Sequence, residues 1–425
     1  MPAVVSLVLL SAAGAAPAFE LHEEALPGGD TLVVVPDDRA PVVYVRIDFP
    51  VGDESPWGRE HASDTAWSLQ SYDPDGALRA RADALAVDVG LGQSSQKAWL
   101  TVTCLKADLE TALDLTGAIL ANEDFDRAEL RRWRRGERLS WKNSQTNPAW
   151  RQSQAAAELL FEPDDPRRRV YEAAARLPRR VAGLPEVRDA ILATPGRIVG
   201  VSGDVSVTEA RDIAAALLPP ARPLGEQGAP IYGLVTPPEE RPAETDVAMD
   251  DLTQVYLRFV REGLTYDAPD YAASLVANHV LAGHAHARLG QALRYDEGST
   301  YGVSLYGRVG TVPPALSIAT YTRVENARAA EETLREALTE FHRDGITEGE
   351  RAEAVTAMLG RQPFREQVPW NPLSERMWEL HHDMPAGFRS AARGRAAAMS
   401  LEEINAFIAR FYAPEAFVTV RLVPE

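Results

Sequence analysis

Apolar and polar positions along the chain follow two periods. Leu32–Val35 and Val42–Phe49 read as a strand pair around the turn Pro36-Asp37-Asp38-Arg39. Ala62–Leu69 and Leu78–Val87 read as helical or mixed, Ala98–Leu105 as a strand, and Asp108–Leu120 as an amphipathic helix. The loop Ala121–Asp126 leads into a long charged helix, Arg127–Trp141. Trp150–Leu160 and Pro185–Leu192 are helical again. Arg197–Ser202 is a strand ending at Gly203-Asp204, and Val207–Leu218 is a helix stopped by Pro219-Pro220.

Pro219 to Pro242 changes character, being rich in Pro, Gly and charge, and reads as an interdomain linker. After it the order repeats. Val255-Tyr256-Leu257-Arg258 echoes Val43-Tyr44-Val45-Arg46, and Leu316–Tyr321 with the helix Ala327–Phe341 echoes Ala98–Leu105 and its helix. Gly345–Glu350 echoes the loop Asp124–Glu129, and the closing strand Ala416–Leu422 echoes Arg197–Ser202. The pattern predicts an α+β fold of two similar domains, 19–222 and 246–425, joined by the linker 223–245.

Composition narrows the class. The chain has 425 residues, 45% hydrophobic and 25% charged, which is globular rather than disordered. Its formal net charge of −18 argues against nonspecific nucleic-acid binding. The one cysteine, Cys104, lies in an apolar run, so there is no intrachain disulfide and no Cys-rich metal site. Ala3 to Ala13 is a short apolar run followed by Ala16-Pro17-Ala18, an A-x-A cleavage pattern. It predicts a signal peptide over 1–18, a mature start at Phe19, and a secreted or periplasmic protein; the alternative is an apolar N-terminal strand. The run falls short of the roughly 20 apolar residues that span a bilayer, and no other segment reads as transmembrane.

One stretch carries candidate chemistry. Leu275, Val276, Val280, Leu289 and Leu293 suit helix faces, with Gly283 as a break between two helices. Tyr301, Val303 and Leu305 then alternate at strand period, and Asp296-Glu297-Gly298 is the turn between. Arg294 thus closes a helix and Tyr301 opens a strand. Taken singly, an Arg in a last helical turn complements the macrodipole, and a Tyr early in a strand is packing.

Together, Leu293-Arg294-x-x-x-Gly298-x-x-Tyr301 resembles the Leu-Arg-x-x-x-Gly-x-x-Tyr signature of pitrilysin/insulinase-type zinc metallopeptidases, processing-peptidase-like subfamily. There the signature follows a helix that begins after a small-residue loop, matched here weakly by Leu281–His286. The resemblance implies that each domain is a mostly antiparallel sheet packed with helices, and that the chain is half of a clamshell. Gly283, Arg294 and Tyr301 are then substrate-binding, and Arg294 and Tyr301 act in catalysis with a partner's zinc site.

Catalytic members carry His-x-x-Glu-His on a helix after the first strands, holding zinc beside a general base. The equivalent positions here are Asp64, Trp67 and Ser68. Trp67 cannot abstract a proton and Ser68 is a poor zinc ligand. A further Glu ligand is due near Ser140, yet Arg138 to Ala157 holds no Asp or Glu. His284-x-His286 lies in the loop, and His381-His382 point to different helical faces. No Gly-x-Ser-x-Gly elbow occurs, which speaks against a stand-alone hydrolase. The resemblance therefore implies a non-catalytic subunit with no metal of its own. It needs a zinc-bearing paralogous partner and a peptide substrate. The alternative is a structural or peptide-binding protein of the same fold without a proteolytic complex.

Overall fold

The computed structural model describes residues 5–7, 19–52, 57–58, 63–70, 77–94, 96–122, 125–163, 165–169, 179–222, 243–296, 302–307, 309–310, 314–365 and 367–425. They form two compact units, each drawn from three segments. The first unit gathers Met1–Glu137, Ala175–Ile231 and Gln362–Phe388, and the second Arg138–Ala174, Tyr232–Arg361 and Arg389–Glu425. Each unit thus takes a helical segment from the opposite half of the sequence, across the contiguous boundaries 19–222 and 246–425.

The first unit is built on strands β1 (Val5–Leu7), β2 (Leu21–Ala25), β3 (Thr31–Pro36), β4 (Val42–Phe49), β5 (Asp88–Gln93), β6 (Ala98–Leu105) and β7 (Ile198–Gly203). Their order is β1-β2-β3-β7-β4-β6-β5, and only β3 and β7 run parallel. The sequence suggests that β3 and β4 pair; they do not, because β7 lies between them. The link Asp37–Pro41 bridges the end of β7 instead. Asp37 N–H donates to the Gly203 carbonyl at 2.7 Å, and Asp204 N–H to the Val42 carbonyl at 3.0 Å. Val5–Leu7 pairs antiparallel with β2, as in the strand alternative; the rest of 1–18 lies outside the described residues.

Alternation on β4 sorts its two faces. Val43, Val45 and Ile47 enter the main core with Leu100 and Val102, while Tyr44, Arg46 and Asp48 face the other way. On β3 both faces are buried, which explains the unbroken apolar run Leu32–Val35. The second face is covered by the helix Trp370–His381, whose Leu373 and Met377 pack on Val33, Val35 and Ile198. That approach requires Gly200 on β7, where a Cβ would stand 2.3 Å from the Met377 Sδ. The same helix sets Trp370 on Tyr44, with ring centroids 4.0 Å apart, and Arg376 on Glu23 at 2.6 Å.

The last turn of that helix holds His381, whose surroundings include Lys97, His382, Asp48 and Arg46. Asp48 itself accepts from Arg46 at 2.7 Å and from Lys97 at 2.5 Å. Burial first, then the nearby Lys97 charge, pushes the imidazole down to about 4. Its unfolded value is near 6.5, so between these values the unfolded chain binds the extra proton. The contribution is full above about 6.5 and is lost as pH falls towards 4. His381→Gln is expected to remove about 1–2 kcal/mol of this pH dependence, seen by comparing urea midpoints at neutral pH and within that window. Parallel loss of stability in both proteins would refute the assignment.

At the start of β7 lies a buried ion pair, Arg197 and Asp30, each side chain 2% exposed. Arg197 donates to Asp30 Oδ2 through Nη2 at 2.6 Å and Nε at 3.1 Å, and its backbone N–H reaches Oδ1 at 2.9 Å. Its Nη1 donates to the carbonyls of Leu192 at 2.6 Å and Pro219 at 2.9 Å. One guanidinium thus ties the β2–β3 turn, the helix Leu184–Ala193 and the chain after Val207–Leu217.

The second unit repeats the plan. Strands β8 (Glu244–Met249), β9 (Gln254–Glu262), β11 (Val303–Tyr306), β13 (Ala315–Arg323) and β14 (Val418–Pro424) form a sheet ordered β11-β13-β9-β14-β8. Only β8 and β14 are parallel, so it matches β5-β6-β4-β7-β3 strand for strand. A short parallel pair, β10 (Leu264–Thr265) with β12 (Val309–Gly310), stands apart. The helix Pro148–Leu160 plays the part that Trp370–His381 plays in the first unit: Ala155, Ala156 and Leu160 pack on Val260, Val418 and Val420. Its Gln152 donates to the Val420 carbonyl at 3.2 Å and accepts from Arg258 at 3.2 Å. The fold is α+β, with two similar, mostly antiparallel sheets packed with helices. Residues 223–242 of the expected linker lie outside the described residues, and β8 begins at its end.

Candidate functional site

Two places need description: the helix that would carry a zinc motif, and the helix-loop stretch leading to Arg294 and Tyr301.

The first is the helix Ser63–Gln70. Trp67, at the general-base position, is 1% exposed and belongs to the core of the first unit. Its ring meets Phe49 edge-on with centroids 5.2 Å apart, and its Nε1 donates to the Trp99 carbonyl at 3.2 Å. The indole is thus a packed, satisfied donor with no basic lone pair to offer. Ser68 is exposed, and Asp64 lies in the helix with its side chain outside the described residues. Ser140 stands on the helix Arg127–Gln145, exposed and without a carboxylate. These residue types do not fit the zinc of catalytic members: the base position is filled by a core side chain, and one ligand position by a hydroxyl. Among the described residues no group of three or more His, Cys, Asp and Glu side chains is placed to hold a metal ion.

The second place lies in the second unit. The helix Tyr271–Ala282 is almost wholly buried and stops at Gly283, whose N–H donates to the His279 carbonyl at 2.9 Å. A Cβ on Gly283 would sit 2.5 Å from the His279 Cα, so the stop needs glycine. The turn His284–Ala287 follows, closed by Ala287 N–H on the His284 carbonyl at 3.0 Å. Arg288–Gly290 then winds helically and continues into Gln291–Asp296, which is π-wound. Arg294 belongs to this segment, with its side chain outside the described residues; Glu297–Tyr301 lie outside them entirely. β11 begins two residues later, at Val303.

A cleft of about 400 Å³ opens beside the loop, lined by His279, His284, His286, Arg288, Glu350 and Glu353 among others. Arg288 clasps Glu350 through Nε and Nη2, both at 2.7 Å. Glu350 also closes the capping box of the helix Glu348–Gly360, accepting from Thr347 N–H at 2.7 Å. The Arg288 guanidinium first, with Thr347 adding to it, holds this carboxyl down to about 2. The clasp pins the loop's exit to a helix start 62 residues away in sequence. The structure thus sets His279 and the histidine turn that follows Gly283 together at one cleft. The Arg288–Glu350 clasp was missed in the sequence: Thr347-x-x-Glu350 is visible as a capping signal, but nothing local reveals its partner.

Comparison with known proteins accords with this anatomy. Residues 198–358, which include Arg294, Gly298 and Tyr301, match the family described as Peptidase M16 inactive domain. A curated relative, the non-peptidase homolog YmxG of Helicobacter pylori (strain ATCC 700392 / 26695), is 27% identical over 139 residues. That match spans 33% of this chain and 32% of YmxG, about a third of each. The fold is shared with the peptidase M16 inactive domain from Pseudomonas fluorescens, at TM-score 0.80 and 19% identity over 95% of this chain and 98% of that one. It is also shared with the periplasmic protease PqqL from Escherichia coli, at TM-score 0.76 and 13% identity over 99% of this chain and 48% of PqqL. Residues 198–358 thus resemble the M16, or pitrilysin, inactive domain, and the chain shares the fold of solved M16-type proteins.

Proposed function

We propose that the chain is the non-catalytic subunit of a heterodimeric zinc metallopeptidase, inactive alone, in which a paralogous partner supplies the zinc. On this reading Arg294 and Tyr301 bind the peptide and stabilise the transition state, and Gly283 lies in the substrate loop. The observation that carries it is Trp67: the general-base position is committed to the core, while the Arg-x-x-x-Gly-x-x-Tyr stretch is intact within 198–358. Export to the periplasm or beyond accords with Ala16-Pro17-Ala18 and with the shared fold of the periplasmic protease PqqL. Among the described residues no helix is long and apolar enough to cross a membrane.

A second reading, a structural or peptide-binding protein with no proteolytic complex, is favoured by the name of YmxG as a non-peptidase. Co-expression with a His-x-x-Glu-His paralogue from the same source separates the two. The chain alone is expected to hold no stoichiometric zinc and to cleave no peptide, and the complex to do both. One tight zinc on the isolated chain would overturn the proposal. A complex that assembles with zinc yet never cleaves would leave the second reading.

A further inference from the structure

The helix Arg127–Gln145 carries five cations on one face: Arg127, Arg131, Arg135, Arg138 and Lys142. Their spacing of four, four, three and four places them within an arc of about 80°, along about 22 Å of helix. All five are exposed, and none has an ion-pair partner among the described residues. The two carboxylates of the helix, Glu129 and Glu137, fall on its far side, with buried Leu130. Arg132, off the row, pairs with Glu129.

The arrangement is unusual for this chain, where Asp and Glu outnumber Lys and Arg 62 to 44. Several exposed arginines elsewhere, Arg39, Arg328 and Arg343 among them, find carboxylates. A row of like charges at these spacings disfavours its own helix, and Arg127 in the first turn opposes the macrodipole. A merely solvated face does not account for the exclusion of carboxylates from all five positions.

We propose that this row is a docking surface for an anionic phospholipid membrane, on which the chain lies peripherally. A folded acidic partner would need fixed carboxylates in matching register, whereas mobile headgroups gather under each cation. Leu139 flanks the row and is 57% exposed. An apolar side chain there gains nothing from a phosphate polymer but can enter the headgroup–acyl boundary.

The test uses the full chain in co-flotation with phosphatidylcholine vesicles, with and without one-third phosphatidylglycerol, at low and high salt. Binding is expected only with phosphatidylglycerol, and is expected to fall as salt rises. The triple variant Arg131→Gln, Arg135→Gln, Arg138→Gln should lower the partition coefficient about a hundredfold, at about fivefold per cation. Its melting temperature should be no lower than that of the wild type, and the corresponding triple Lys variant should retain binding. The idea is overturned if neutral vesicles bind equally, if the Gln variant floats like wild type, or if nothing binds at low salt. It is likewise overturned if the variant loses only its association with a protein partner. Vesicle binding is read without any peptidase assay, so its failure is distinct from failure of the heterodimer.

Discussion

Tyr301→Phe in the reconstituted heterodimer is expected to lower kcat by about 10²–10³ with assembly intact, equivalent to about 2.7–4 kcal/mol of transition-state stabilisation. The reasoning is chemical. Hydrolysis at zinc builds negative charge on the carbonyl oxygen of the scissile bond, and a donor aimed at that position stabilises the transition state more than the substrate. A phenol suits the task because it donates while staying neutral. Phenylalanine keeps the ring and removes only the donor. Arg294→Ala is expected to raise KM as well, since a guanidinium offers several fixed donors to peptide carbonyls and stays charged throughout the working range. Steady-state kinetics on size-matched complexes decides. A Tyr301→Phe complex that cleaves at the wild-type rate returns both residues to packing roles.

Asp30→Ala is expected to destabilise the first unit by about 3–5 kcal/mol. The loss comes from what remains: Arg197 stays buried with its charge unmatched, and carbonyls alone cannot neutralise it. Replacing both members by apolar residues of similar volume, Asp30→Leu with Arg197→Met, should recover most of that loss. The measurement is urea unfolding followed by near-ultraviolet circular dichroism, with the double-variant cycle separating the pair from the bulk of each side chain. Equal midpoints for Asp30→Ala and wild type would mean that the carbonyl partners suffice.

Much of the fold was legible because each element carries its own periodicity and stop signals. β9, β13 and β14 fall where the echoes of the first half place them, and Pro219-Pro220 ends its helix as expected. Pairing was less legible. The run Leu32–Val35 announces a strand, but not that β7, more than 160 residues later, slips between it and β4. The reason is general: a strand's side chains record which faces are covered, not which neighbour lies beside it. Two helices also cover sheets of the opposite half, a choice fixed by Met377 over Gly200 and Gln152 under Val420. Of the candidate site, Trp67 was legible as a missing base but not as a core residue. Gly283 was legible as a helix break. The Arg288–Glu350 clasp was not, since long-range ion pairs leave no periodic trace.

The crossed helices bear on how the chain is made. A ribosome delivers residues in order, so β1 to β7 emerge long before Leu373 and Met377, which cover Val33 and Val35. Until Leu373 and Met377 have been synthesised, one face of the first sheet has no lid of its own, and its apolar strands need shelter. The second unit faces the mirror problem: Pro148–Leu160 leaves the ribosome first and waits for Val418 and Val420, more than 250 residues later in the sequence. Neither half can therefore be cut free as a finished piece. A gene fragment ending in the linker would encode an early sheet without its cover, and one beginning there a late sheet without its own.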